Sequence, residues 1–114
     1  MAEYEVQLAP AVQRELRKLE RATLLRIVRA LEKLGNNPRP GGVEKLSQDP
    51  RFWRKKVGDY RVIYTIEENP NAVIVVVVRH RKDAYRNLDQ LDARLLAATV
   101  GDVLVGIAEA AKPV

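Results

Sequence analysis

The sequence predicts an α+β domain: an N-terminal strand and an α-helical hairpin packed on a small twisted antiparallel sheet, followed by a C-terminal helical extension. Three observations carry this. Residues 10–34 repeat apolar side chains at helical spacing in two blocks. Residues 52–78 switch to β-rich runs separated by Gly58-Asp59 and Asn69-Pro70-Asn71. Within them Ala72 to Val78 is β-branched almost throughout, which suits a central strand covered on both faces.

The elements follow in order. Tyr4, Val6 and Leu8 alternate with Glu5 and Gln7, the pattern of a half-buried strand. Pro10 suits the first turn of a helix, where its missing N–H costs little. Val12, Leu16 and Leu19 fall on one face of that helix, with Arg14, Arg17 and Lys18 largely elsewhere. A second helix carries the stripe Leu24, Ile27, Val28, Leu31 and Leu34, with Thr23 as its cap and Gly35 as a left-handed stop. Asn36 to Gly42 is loop, with Gly41-Gly42 a flexible turn, and Val43 to Pro50 is irregular chain. Phe52 to Val57 and Tyr60 to Glu67 are strands joined tightly at Gly58-Asp59. Beyond them Leu88, Leu91, Leu95 and Leu96 have helical spacing, continued by Val100, Val103, Leu104 and Ile107 and weakened at Gly101 and Gly106. Residues 1–87 form the domain. Residues 88–114 are an apolar extension that either covers the second face of the sheet or meets another chain.

Composition narrows the function. The 114 residues suit one compact domain with a core that needs no staple. There is no cysteine, which removes disulfides, thiolate metal sites and cysteine nucleophiles and fits a reducing cytosol. One histidine and no cysteine cannot build a zinc site, and no phosphate-cradling glycine loop is present, so no metal or other cofactor is expected. The start of the chain has no apolar signal core and no apolar run reaches bilayer length, so the expected location is cytoplasmic, away from membranes. A net charge of +5 and a pI near 9.7 suit nucleic acid or an acidic protein partner.

The chemistry concentrates in two runs. In the first, Trp53 to Tyr64, alternation puts Arg54 and Lys56 on one strand face and Trp53, Lys55 and Val57 on the other. Arg61, from the next strand, can share a surface with Arg54 and Lys56. In the second, Arg79-His80-Arg81-Lys82-Asp83-Ala84-Tyr85-Arg86, Arg81 and Tyr85 sit where they could close the same concavity. Charge placement alone fits either an anion site or a solvated basic edge that blocks unwanted strand pairing. His80 and Ser47 have no base arrangement, and Trp53 and Phe52 are core aromatics by default. An enzyme without an ordinary acid–base pair could still cleave RNA, which carries its own nucleophile in the 2′-hydroxyl.

The two runs together resemble the RelE/ParE superfamily of toxins, and its RelE branch most closely, over roughly Glu3 to Leu88. The resemblance implies a toxin of a type II toxin–antitoxin system, held inactive by a cognate acidic antitoxin (RelB-like or similar). The toxin would enter the ribosomal A site and cut mRNA through the 2′-hydroxyl, and it would meet operator DNA only through the antitoxin. By the same resemblance Lys56 is the base, Arg61 holds phosphate, Arg81 stabilises the transition state and Tyr85 stacks on or orients a base. Arg54, Lys55, Arg79 and Lys82 would surround the substrate. The chain departs from the pattern at Arg54, which replaces a lysine, at the additional cation Lys55, and at Arg79, where glycine is common. The alternatives are a ParE-like DNA gyrase inhibitor and a non-catalytic homologue acting as co-repressor with its antitoxin.

Overall fold

A computed structural model describes residues 3–98; the apolar stripe from Val100 to Ile107 lies outside the described residues. The chain runs β1 (Glu5–Leu8), α1 (Pro10–Arg17), α2 (Arg21–Asn36), β2 (Glu44–Lys45), β3 (Trp53–Val57), β4 (Tyr60–Glu67), β5 (Ala72–His80), a 3-10 turn (Leu88–Gln90) and α3 (Leu91–Leu96). The five strands form one sheet in the order β1-β5-β4-β3-β2. The fold is α+β as the sequence predicts, but the sheet is mixed. The strands β2 to β5 pair antiparallel, while β1 pairs parallel with β5, Leu8 opposite Val75. A parallel neighbour requires a crossover. The two helices, joined through residues 18–20, begin that long return.

Both helices cover one face of the sheet. Val12 and Leu16 of α1 and Ile27, Val28, Leu31 and Leu34 of α2 pack with Val62, Tyr64, Val73, Val75 and Val78. Pro10 opens α1 at its first turn, as expected. Two boundaries of α2 differ from expectation. Its N-cap is Glu20, and Thr23 instead donates its hydroxyl to the Glu20 carboxylate at 3.4 Å. Gly35 does not stop the helix: it is buried within the last turn, where its carbonyl accepts the Tyr4 N–H at 2.9 Å. A glycine that lets a neighbouring backbone approach looks the same in sequence as a glycine that ends a helix.

The second face has its own core. Phe52, Leu46, Ile63, Ile74, Val76 and Val77 are joined there by Leu91, with Tyr85, Leu88 and Leu95 packed against them. The first part of the C-terminal extension therefore covers the sheet, and α3 leaves Leu96 87% exposed on its outer side. Gln7, expected to face outward, is buried because it lies opposite Ile74 at the margin of this second core. A bulge between Ile63 and Tyr64 lets both Val76 and Val77 join this face. Residues 43–50 are less irregular than expected, since Glu44–Lys45 adds a two-residue edge strand opposite Arg54 and Trp53.

Polar groups in the core are paired. Tyr64, 0% exposed, donates its hydroxyl to the Pro38 carbonyl at 2.7 Å, and Thr65 donates to the Arg51 carbonyl at 2.8 Å. The aromatics at the start of β3, Phe52 and Trp53, are structural. Phe52 is fully buried, and Trp53 lies against the first core with the Lys45 and Arg39 cations over its ring at 5.5 and 5.9 Å.

Candidate functional site: a cationic face at the end of the sheet

Register builds the site. Lys56 lies opposite Arg61, and Arg61 lies opposite Arg79. Side chains directly opposite share a face, so three cations form a row across β3, β4 and β5. Arg54, two residues before Lys56 and opposite Ile63, belongs to the same face. Like charges in such a row repel. The structure gives each of the four a different arrangement.

Arg79 is anchored. Its Nε donates to Glu15 Oε2 at 2.6 Å and its Nη1 to the Arg86 carbonyl at 3.1 Å. The other Glu15 oxygen accepts from Arg94 at 3.2 Å and from the Val78 N–H at 3.3 Å. Arg94 also donates to the Val76 carbonyl at 2.8 Å. One carboxylate of α1 thus serves the stretch of β5 that β1 is too short to reach, and it holds α3 there as well. Arg61 turns back on the hairpin, donating to the carbonyls of Gly58 at 3.1 Å and Tyr60 at 2.9 Å. That hairpin needs its glycine. Gly58 has φ +59°, and a Cβ there would lie 3.0 Å from an Arg26 guanidinium nitrogen. Lys56 is exposed and has no ion pair within 4 Å among the described residues.

Arg54 is held between two side chains. Its Nη2 meets Glu44 Oε2 at 2.7 Å, its Nη1 donates to the Tyr85 hydroxyl at 3.1 Å, and its guanidinium lies 5.9 Å from the Tyr85 ring centre. The hydrogen bond from Arg54, then its charge, hold the Glu44 carboxyl below its ordinary range, and the Lys56 charge adds to this. Glu44 and Tyr85 in turn raise Arg54. A hollow of about 200 Å3 opens beside them, lined by Glu44, Ser47, Gln48, Arg54 and Tyr85 among others.

The turn after β5 completes the face. The Arg81 N–H donates to the Asp59 carbonyl at 2.7 Å, tying this turn to the β3–β4 hairpin while the Arg81 side chain stays exposed. Asp83 pairs with Arg86 at 3.4 Å, as its position suggested, and Ala84 is buried. Tyr85 rests on the second core, with its hydroxyl toward Arg54.

The structure places Lys56, Arg61 and Arg79 in one row across three strands, sets Arg54 on the same face against Tyr85, and carries Arg81 on the turn tied to the β3–β4 hairpin. It separates Lys55, which lies opposite Val62 and faces α2. Lys82 is exposed on the turn, its N–H donated to His80 Nδ1 at 3.2 Å. His80 itself packs edge-on to Tyr60 at 5.6 Å, on the helix-covered face. Arg79 stands within the row, but Glu15 already occupies its Nε. Two functional neighbours escaped the sequence reading, Glu15 and Glu44. Glu15 left one signal: it is the lone acid beside the apolar stripe of a helix whose other charged residues are Arg14 and Arg17. Glu44, in a segment read as irregular, left none.

The arrangement can bind a phosphodiester and stabilise charge developing on it. Arg54 and Arg79 are held by hydrogen bonds to Glu44, Tyr85 and Glu15, while the Lys56 and Arg81 side chains stay exposed where an anion can reach them. Glu44 is engaged with Arg54 and no imidazole shares the face. Among the described residues no three His, Asp or Glu side chains gather as a metal site, and no helix is long and apolar enough to cross a membrane.

Comparison with solved structures finds the archaeal RelE–RelB complex from Pyrococcus horikoshii OT3, at 26% identity and a TM-score of 0.62, covering 72% of this chain and 99% of that one. It also finds a mutant of the E. coli toxin RelE in the free state, at 20% identity and a TM-score of 0.60, covering 84% of this chain and 96% of that one. No curated protein matches. The family described as the ParE toxin of type II toxin–antitoxin systems, parDE, matches residues 6–85, which takes in β2 to β5, all but the first residue of β1, and the whole cationic face. The chain is a toxin of that family within the RelE/ParE superfamily, with a RelE-like structure.

Proposed function

We propose that the cationic face is the active site of a ribosome-dependent mRNA endonuclease. The observation that carries this reading is the row Lys56–Arg61–Arg79 across three adjacent strands, with Arg54 and Tyr85 in contact beside it. The substrate is the phosphodiester between two mRNA nucleotides in the A site. The 2′-oxygen attacks phosphorus, the bond to the 5′-oxygen breaks, and a 2′,3′-cyclic phosphate and a 5′-hydroxyl result. Lys56 takes the 2′-hydroxyl proton as general base, and solvent supplies one to the 5′-oxygen. Arg61 leaves the hairpin carbonyls to hold the phosphate, and Arg81 offsets the growing negative charge. Tyr85, backed by Arg54, provides the surface on which a base is oriented. The protein partner is an acidic antitoxin, RelB-like, whose charge complements the basic surface.

A second reading is supported by the family that matches, which is named for ParE: inhibition of DNA gyrase with no RNA cleavage. Primer extension on mRNA after induced expression separates the two. New 5′ ends inside codons support the nuclease, and replacing Arg81 with alanine should remove them at unchanged protein level. Losing one such donor costs about 100- to 1,000-fold in rate. DNA-damage signalling without new ends supports gyrase inhibition.

A further inference from the structure

A second cationic surface lies around the edge of β3 from the first. Arg26, Arg29 and Lys33 stand three and four residues apart on α2, one ladder along an exposed side of the helix. Lys55 and Lys56 of β3 face them across an open trough of about 580 Å3. No carboxylate lines this trough. None of these five cations has an ion pair within 4 Å among the described residues. Five neighbouring like charges raise the energy of the empty protein, and an anion spanning them relieves it.

The trough joins the cationic face. β2 pairs only with Trp53 and Arg54, so β2 covers none of the β3 edge from Lys55 to Val57. Lys55 and Lys56 leave that edge toward opposite faces of the sheet. Lys56 contributes both to the row with Arg61 and to the trough. Between the cations the floor carries Ala22, Leu25, Ala30 and Val57. The five cations are spread along α2 and the β3 edge rather than gathered at one point, and a ribbon of phosphates, with its charges at regular intervals, matches that spread.

We propose that this trough binds the phosphodiester backbone of RNA, so that RNA engaged at the cationic face continues over the β3 edge onto α2. The inference rests on the reading that the cationic face takes RNA, and it adds a binding surface of four further cations away from the reacting atoms. The phosphates are those of the cut strand itself, which runs on from the cationic face.

The test uses the full chain and its R29Q/K33Q variant, both positions being exposed and outside the cleavage site. Binding of a labelled 2′-deoxy single strand and of a labelled RNA hairpin is followed by fluorescence anisotropy at several salt concentrations. Each lost phosphate contact should lower the slope of log affinity against log salt by about one, so the double variant should lose about two. Loss on the single strand supports the proposal, and loss on the hairpin alone overturns it by giving the trough to folded RNA instead. R29K/K33R should restore binding. Unchanged affinity and slope on both probes overturns the proposal. So does a glutamate-rich peptide that displaces RNA and loses more affinity for the variant than RNA does. A protein that binds RNA in this way yet cuts no programmed ribosome removes the nuclease reading and leaves the trough.

Discussion

Replacing Glu15 with alanine should be among the most damaging single changes on this surface. Its carboxylate accepts from Arg79 Nε at 2.6 Å, Arg94 at 3.2 Å and the Val78 N–H at 3.3 Å. The side chains are 18%, 21% and 13% exposed for Glu15, Arg79 and Arg94. Removing one partner of a fully buried ion pair costs about 3–5 kcal/mol, mostly because the other charge is left unpaired. Residual solvent contact discounts that here, so about 2–3 kcal/mol is expected, comparable to one or two strong charge-assisted hydrogen bonds. Urea unfolding should show this as a lower midpoint with an unchanged slope. Glutamine, which keeps an acceptor and loses the charge, should fall between. A double-mutant cycle with Arg94→Ala should give a coupling of about 1 kcal/mol or more, because both residues share one network. An E15A protein within about 0.5 kcal/mol of wild type, the range of an ordinary surface change, would refute the reasoning.

Three further outcomes follow from the same structure. Burial raises the Tyr64 hydroxyl from its ordinary value of 10 to about 12. The folded state then keeps a proton that the unfolded chain releases, so stability should fall as pH rises from 10 to 12. At about 1.4 kcal/mol per unit, the loss approaches 2–3 kcal/mol, and a Tyr64→Phe protein should show a flatter alkaline limb in thermal melts. Leu91→Ala should cost about 2–3 kcal/mol because it opens a void in the second core, whereas Leu96→Ala, on the exposed side of the same helix, should leave the melting temperature nearly unchanged. The Arg54–Glu44 pair contributes above the ordinary glutamate range and is lost as pH falls through the lowered Glu44 value. An NMR titration should therefore show the Glu44 midpoint moving up in Arg54→Ala, and no movement would mean the pair is absent in solution.

Much of the fold was legible because it rests on periodicity. The apolar run of β5, the stripe of α2 and the Gly58 turn are local signals, and each lies where its pattern put it. The parallel pairing of β1 was not legible, since nothing in Glu5–Leu8 states which strand it joins. Gly35 and Thr23 misled for a related reason: both carry a local preference that packing overrode. At the candidate site, the alternation Arg54-Lys55-Lys56 separated the residue facing α2 from the two facing the site. The row could then be inferred once β3 and β4 were taken as a tight hairpin. Glu15 and Glu44 could not, because each finds its arginine through a register that sequence spacing does not reveal. The anchoring of Arg79 by Glu15 changes how that position reads: a cation expected at the substrate also holds the turn that carries Arg81 and Tyr85.

Cleavage of programmed ribosomes carrying one 2′-deoxy nucleotide tests the chemistry most directly. Purified protein should cut the all-ribose message within the A-site codon, and the single deoxy substitution on the 5′ side of the scissile bond should abolish that cut while leaving binding intact. Cleavage that persists at the deoxy position, or an all-ribose message left whole by protein that binds the ribosome, would contradict a cationic face acting through the RNA's own hydroxyl.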